Sequence, residues 1–214
     1  KLNVSGYKIS AEKTARNSIA GTKFNVEVSG EHHAKRRLQD IVEIIDRSTL
    51  DDDVKESSKK TFRNLAVVEA GIHGESVDEI HFHEVGGLDS IVDVIGAFIG
   101  IKKLGIEAVY SSKVHLGTGF VQSRHGILPI PAPATLSVLK GVPVYSTGIN
   151  AELATPTGAA ILVTLSGAFG NMPRMKIEKI GYGAGSRELE IPNLLRVYLG
   201  EVDGSGYIEE NLVM

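Results

Sequence analysis

The stretch HFHEVGGLDSIVDVIGAFIGIKKLG (residues 81–105) joins two different hydrophobic patterns. Residues 80–84 are typical of a short strand, on which side chains two apart point to the same face. After two glycines, residues 88–104 are apolar on nearly every side, which predicts a central helix that is deeply buried. A strand that turns through glycines into a buried helix indicates a layered α/β domain.

Strands and helices are also predicted on both sides of this stretch. Before it, residues 7–13 and 22–29 predict a β-hairpin with Ala20 and Gly21 between them, and two helices follow, the second of which ends near Gly74. After it, strands are predicted at 108–116, 120–124, 143–147, 175–183 and 194–199, and helices at 131–140 and 156–165. This alternation predicts an α/β fold, a layered domain with a mixed β-sheet and flanking helices.

Composition excludes several classes of function. The chain has 214 residues, of which 42% are hydrophobic and 23% charged, and this argues against disorder. With 23 basic and 26 acidic residues the net charge is −3, so nucleic acid is not an expected partner. No apolar run reaches the roughly 18–20 residues of a membrane-spanning helix, so we expect no membrane partner. Cysteine is absent, which fits a cytoplasmic protein and leaves His, Asp and Glu as metal ligands.

Charge is unevenly distributed along the chain. Residues 1–84 carry 28 charged side chains, whereas residues 85–165 carry nine. We therefore expect a charged N-terminal part with a hairpin and helices (1–84), a low-charge α/β core (85–200) and a loose tail (201–214). Because the sequence begins at Lys1 without an initiator Met, we also expect a fragment of a longer protein, truncated at both ends, whose tail leads to a missing C-terminal domain.

His81, His83 and Glu84 form the first candidate site. The two imidazoles share one face of the predicted strand, and imidazole together with a carboxylate suits nickel, zinc, copper or iron. The alternative is a pair of surface histidines at the end of a strand. On the helix that follows, Asp89 and Asp93 share one face. Asp93 is a candidate ligand because a carboxylate on an apolar helix requires a partner, and the alternatives are a helix-terminal role for Asp89 and a buried cation beside Asp93.

Two further segments carry candidate binding residues. Arg124 could bind a carboxylate or a phosphate, and His125 could carry a proton or ligate a metal. Thr155 is a good N-cap followed by a proline, so the helix start at Thr155, Thr157 and Gly158 is a candidate phosphate site. The alternatives are a glycine-rich hairpin with solvated polar residues and a well-capped structural helix.

Four blocks of sequence, taken in order, resemble one known family, the LarC-type nickel insertion proteins of the lactate racemase cofactor pathway. They are HFHEVGGLDSIVDVIG (81–96), HGILPIPAPATL (125–136), ELATPTGAAIL (152–162) and GYGAGSRELEIPNLLRV (181–197), and EHHAKRRLQDI (31–41) matches more weakly. The resemblance implies a lyase-class nickel chelatase that inserts nickel into pyridinium-3,5-bisthiocarboxylic acid mononucleotide. The product is a nickel-pincer cofactor with one carbon–nickel bond and two sulfur–nickel bonds.

The resemblance also implies CTP, with manganese or magnesium, as a requirement of the full-length protein. It implies nickel and the mononucleotide as small-molecule partners, and the lactate racemase apoprotein, a sulfur-insertion protein or a second copy of the chain as candidate protein partners. Chemistry alone assigns the residues. We predict that nickel is held by His81, His83, Glu84 and Asp93. We predict that His125 or Glu84 accepts the ring proton. We predict that the mononucleotide is bound by Arg124, Thr155, Thr157 and Gly158.

Two other functions are compatible with the sequence. The chain could be a regulatory or oligomerisation scaffold, in which case the His and Asp residues are scattered and bind no metal. It could also be a metal-dependent phosphoester hydrolase, which predicts two metal ions about 3.5–4 Å apart.

Overall fold

The computed structural model describes residues 2–29, 36–82 and 85–203. Within these residues strands and helices are mixed along the chain, which confirms the predicted α/β class. The elements in chain order are β1 (Tyr7–Arg16), β2 (Ile19–Val28), β3 (Arg36–Arg37), α1 (Leu38–Asp46), α2 (Asp52–His73), β4 (His81–Phe82), α3 (Leu88–Lys103), β5 (Tyr110–Ser111), β6 (Val114–Leu116), β7 (Phe120–Ser123), β8 (Gly126–Pro129), α4 (Pro133–Val138), β9 (Val144–Ser146), α5 (Pro156–Leu165), β10 (Ala168–Phe169), β11 (Met175–Ala184) and β12 (Leu194–Val202).

A four-stranded mixed sheet joins the two ends of the described chain in the order β1-β2-β11-β12. The β1–β2 and β11–β12 pairs are antiparallel, whereas β2 and β11 are parallel. The predicted hairpin is present, but its turn is Asn17 and Ser18 rather than Ala20 and Gly21. Both turn residues have positive φ, 46° and 65°, as a tight two-residue hairpin requires. Gly21 lies inside β2, where the neighbouring strands leave little room for a side chain.

Helix α2 is the centre of the helical layer, because α1, α3, α4 and α5 all pack against it. Its buried stripe includes Phe62, Leu65 and Ala66, each fully shielded from solvent. The prediction that α3 is the deeply buried central helix was therefore wrong in part. The α3 helix buries one face, whereas Asp89 and Asp93 lie on an exposed face.

The hydrophobic core contains residues from the charged N-terminal part of the chain as well as from the low-charge part. It includes Ile41 and Ile45 of α1 and Val54 of α2 as well as α3, β6 and α5. The charged N-terminal helices are amphipathic, so their charges occupy the solvent face while their apolar stripes complete the core. The core is therefore not confined to the low-charge residues, and the predicted domain boundaries remain a prediction.

Several predicted elements are shorter than expected. Residues 108–116 divide into β5 and β6, because β5 pairs with β10 and β6 pairs with β9. The helix predicted at 131–140 is the shorter α4, and β8, which the sequence did not indicate, forms a hairpin with β7. Across the described ranges no helix is both long and apolar enough to cross a membrane.

Candidate functional site

His81 lies on β4, opposite Arg37 of β3 in an antiparallel pair. The Arg37 Nε–H donates a hydrogen bond to His81 Nε2 at 3.2 Å. The other ring nitrogen, Nδ1, is buried and has no hydrogen-bond partner among the described residues. An imidazole that accepts at one nitrogen carries its proton on the other, so Nδ1 is a buried donor with no acceptor in the described part of the chain.

Gly86, which precedes α3, is closely packed. Gly86 lies so close to Phe82 that a side chain at this position would collide with it. Arg36 Nη1 donates to the Gly86 carbonyl oxygen at 2.8 Å. Phe82 is buried and makes an edge-to-face contact with Phe62 of α2, with ring centroids 6.3 Å apart. The predicted ligands His83 and Glu84 lie outside the described residues and remain predictions.

Asp89 and Asp93 occupy successive turns of the exposed face of α3. The Asp89 carboxylate folds back over Gly87, the N-cap residue, which supports the helix-terminal role. Although Asp93 lies on the exposed face, partial desolvation of its carboxyl by the neighbouring residues raises its pKa, and the negative charge of Asp89 raises it further. Among the described residues no Arg or Lys forms an ion pair with Asp93, so the alternative of a buried cation partner is not supported there.

His125 lies in the turn between β7 and β8 and contacts His73, a histidine with no predicted role. Its ring centroid is 4.9 Å from that of His73, at the end of α2. His73 Nε2 lies 3.4 Å from Oε2 of Glu69, whose carboxylate is buried. The i,i+4 spacing of Glu69 and His73 on a helix was the available signal. Their approach to His125 depends on the tertiary structure.

The three described ligand candidates do not form one metal centre. His81 lies on β4, Asp93 on the outer face of α3, and His125 in a hairpin turn against α2. Over the described residues there is no group of three or more His, Asp or Glu side chains that could hold a metal ion. The predicted nickel site also includes His83 and Glu84, which lie outside the described residues, and it remains a prediction.

The start of α5 has the predicted capping geometry. Thr155 Oγ1 accepts a hydrogen bond from the Gly158 N–H at 3.2 Å, and Pro156 occupies the first helical turn. Pro156 has no N–H, and the Gly158 N–H already donates to Thr155. The backbone N–H of Thr157 is therefore the donor in this turn that could bind an anion. The N-cap is confirmed, and phosphate binding at Thr155, Thr157, Gly158 and Arg124 remains a prediction.

Tight backbone packing holds the loop that leads into α5. Gly117 lies directly against the Ala151 carbonyl, where a side chain would overlap it. The Thr118 N–H donates to the Ile149 carbonyl at 2.8 Å. Thr135, fully buried on α4, donates to the Ala154 carbonyl at 3.5 Å. The helix start is therefore held by two neighbouring elements. A cleft of about 470 Å³, bordered by Phe98, lies elsewhere and includes none of the predicted site residues.

Comparisons with known proteins identify the family. The family model described as "Nickel insertion protein" matches residues 1–214. Relatives at 44–49% identity carry the name pyridinium-3,5-bisthiocarboxylic acid mononucleotide nickel insertion protein. The Desulfitobacterium hafniense (strain DSM 10664 / DCB-2) protein is 49% identical over 94% of this chain and 50% of its own length. The Acetivibrio thermocellus protein is 45% identical over 100% of this chain and 55% of its own length. The Geobacillus kaustophilus protein is 44% identical over 94% of this chain and 51% of its own length.

The chain spans about half the length of these curated relatives. No solved structure matches it significantly. The family model covers every residue of the chain, and the relatives align with nearly all of it. The chain therefore belongs to the nickel insertion protein family.

Proposed function

We propose that this chain takes part in inserting nickel into pyridinium-3,5-bisthiocarboxylic acid mononucleotide. The observation that carries the proposal is the match of the nickel insertion family over all 214 residues, together with relatives that bear this name. The absence of cysteine is compatible with it, because the precursor brings its own sulfur ligands. Imidazole and carboxylate side chains can hold nickel weakly enough to release it.

The chemistry divides into delivery of the metal and removal of a proton. Ni²⁺ takes the place of one hydrogen on the pyridinium ring, forming one bond to carbon and two to sulfur, and the hydrogen leaves as a proton. We assign delivery to His81, His83 and Glu84, with Asp93 as a further ligand. His125 or Glu84 accepts the proton. The contact of His125 with His73 supports this role, because it places a second imidazole beside the proposed base.

The mononucleotide phosphate is assigned to the start of α5. The Thr157 N–H, the helix dipole and the Arg124 guanidinium would bind it, with Thr155 and Gly158 shaping the turn. The rigid packing of the preceding loop supports this assignment, since an anion site needs donors held in place.

Further features of the activity follow from the family resemblance and are part of the same proposal. The full-length protein is a lyase-class chelatase that requires CTP with manganese or magnesium, and it acts in the cytoplasm. Its protein partners are the lactate racemase apoprotein, the sulfur-insertion protein or a second copy of the chain.

Nickel titration by calorimetry tests the metal assignment. The chain is compared with the His81→Ala/His83→Ala variant and with a control, His115→Ala. His115 stacks on Tyr145 at 4.4 Å, remote in sequence from the HFHE segment. We expect the double variant to lose nickel binding while it stays folded by circular dichroism, and the control to retain it. Equal binding by all three would show that nickel is held elsewhere.

Conversion of the mononucleotide tests the reaction itself. The chain is incubated with the precursor, Ni²⁺, CTP and Mn²⁺, and the product is identified by mass spectrometry as precursor in which nickel has replaced one hydrogen. We expect His125→Ala to slow this exchange more than His115→Ala does. If the folded chain neither binds nickel nor converts the precursor, the scaffold function is the better description of this part of the protein.

A further inference from the structure

The contact between Arg37 and His81 bears on the nickel delivery proposed above. Arg37 Nε donates to His81 Nε2 at 3.2 Å, across an antiparallel pair of two-residue strands. A guanidinium is always charged and has no acceptor, so the imidazole nitrogen facing it must carry the lone pair. The hydrogen bond therefore places the ring proton on Nδ1.

This arrangement leaves no nitrogen of His81 ready for a metal. Nε2 has a lone pair, but the Arg37 N–H occupies it. Nδ1 carries the proton and is buried, with no partner among the residues that the structure describes. A metal at Nδ1 would require the proton to move to Nε2, where it would meet another N–H donor. A metal at Nε2 would require Arg37 to move away, and the positive charge of Arg37 also opposes a divalent cation.

We propose that Arg37 restrains nickel binding at His81, so that nickel binds His81 only when the Arg37 side chain is displaced. This inference rests on the proposed role of His81 in nickel delivery. The Arg37 side chain can move away from His81 because it lies at the surface. Its neighbour Arg36, in contrast, is partly buried and donates a hydrogen bond to the Gly86 carbonyl. A restraint of this kind keeps the affinity low enough for the metal to be passed on.

The magnitude follows from simple electrostatics. A displaced guanidinium about 6 Å from a divalent ion in water opposes it enough to weaken binding about tenfold. We therefore expect Arg37→Gln to bind nickel about tenfold more tightly than the unchanged chain. The matched control is Arg47→Gln, which removes the same charge from an exposed arginine on the far end of α1. We expect the control to leave nickel affinity within twofold.

Calorimetric titration with Ni²⁺ alone separates the outcomes. The gain of Arg37→Gln must disappear in the Arg37→Gln/His81→Ala variant if it arises at His81. If His81→Ala weakens binding but Arg37→Gln leaves affinity unchanged, the restraint is refuted while the nickel role of His81 stands. If His81→Ala has no effect in either background, the role of His81 in the proposed function fails and the restraint fails with it.

A metal-free measurement tests the contact directly. The ¹⁵N chemical shifts of the His81 ring, recorded at alkaline pH where imidazoles are neutral, distinguish the two tautomers. We expect the Nδ1–H form in the unchanged chain and in Arg47→Gln, and a shift toward the Nε2–H form in Arg37→Gln. An Nε2–H tautomer in the unchanged chain would overturn the proposal without reference to nickel.

Discussion

Removing the side-chain cap of α5 is a sensitive test of the helix that we assign to phosphate binding. Thr155 Oγ1 accepts from the Gly158 N–H at 3.2 Å, and the Thr155 side chain is exposed. Because the Thr155 side chain is exposed, its removal leaves no cavity, and the protein loses only the stabilisation that the capping hydrogen bond provides. Replacement of an N-cap Thr by Ala typically costs about 1 kcal/mol.

The replacements form a graded series. We expect Thr155→Ala to lower the free energy of unfolding by about 1 kcal/mol, Thr155→Gly by a few tenths, and Thr155→Ser by close to zero. For a chain of this length, 1 kcal/mol corresponds to a fall in Tm of about 2–4 °C. Urea unfolding followed by circular dichroism provides the measurement, with an unchanged m-value as the sign that only stability has altered.

The order of the series decides the interpretation. If Gly is as harmful as Ala, or if Ser fails to restore stability, the hydroxyl does not act as the cap. A loss above about 3 kcal/mol for Thr155→Ala would show that Thr155 supports the neighbouring loop as well, beyond the range of a capping effect.

Three further results are expected. Because the pKa of Asp93 in the folded protein is raised above 3.8, the stability that Asp93 contributes falls as the pH rises from 3.8 through the raised pKa. Asp93→Asn should therefore be more stable than the unchanged chain at neutral pH and equally stable in acid. Urea unfolding at each pH measures the difference. Phe62→Ala and Phe82→Ala should each destabilise the fold by about 3–5 kcal/mol, and the double-mutant cycle should give a coupling of roughly 0.5–1.5 kcal/mol; a coupling of zero would contradict the edge-to-face contact. Gly117→Ala should destabilise the fold by about 1–3 kcal/mol because its methyl group would overlap the facing backbone carbonyl, and an unchanged Tm would show that this close approach is absent.

Local signals in the sequence predicted some elements closely and others only roughly. The residues predicted for α5, 156–165, match the helix itself, since Thr155 and Pro156 mark its start unambiguously. The end of α2 at Gly74, in the left-handed conformation, was also predicted. The hairpin turn was misplaced because Gly21 is a stronger turn signal than Asn17 and Ser18 in isolation. Its true role is to allow close packing between strands, which depends on β11 and β12 more than 150 residues away.

The candidate site shows the same division. The spacing of His81 and His83 indicated a metal-binding segment, but it could not reveal Arg37, which lies 44 residues earlier and meets His81 only when β3 pairs with β4. The contact between His73 and His125 likewise joins a helix end to a hairpin turn. Contacts of this range depend on how the elements pack.

The sequence by itself determined the α/β class, most helix positions, the capped start of α5 and the resemblance to the nickel insertion family. These features depend on patterns within about 20 residues or on long matching blocks. The tertiary structure alone decided that α2 rather than α3 is central, that Asp93 lies on an exposed face of α3, and that His81 faces a guanidinium. The physical reason is that burial and electrostatic environment are properties of neighbours in space, and local periodicity records only which face of an element is apolar.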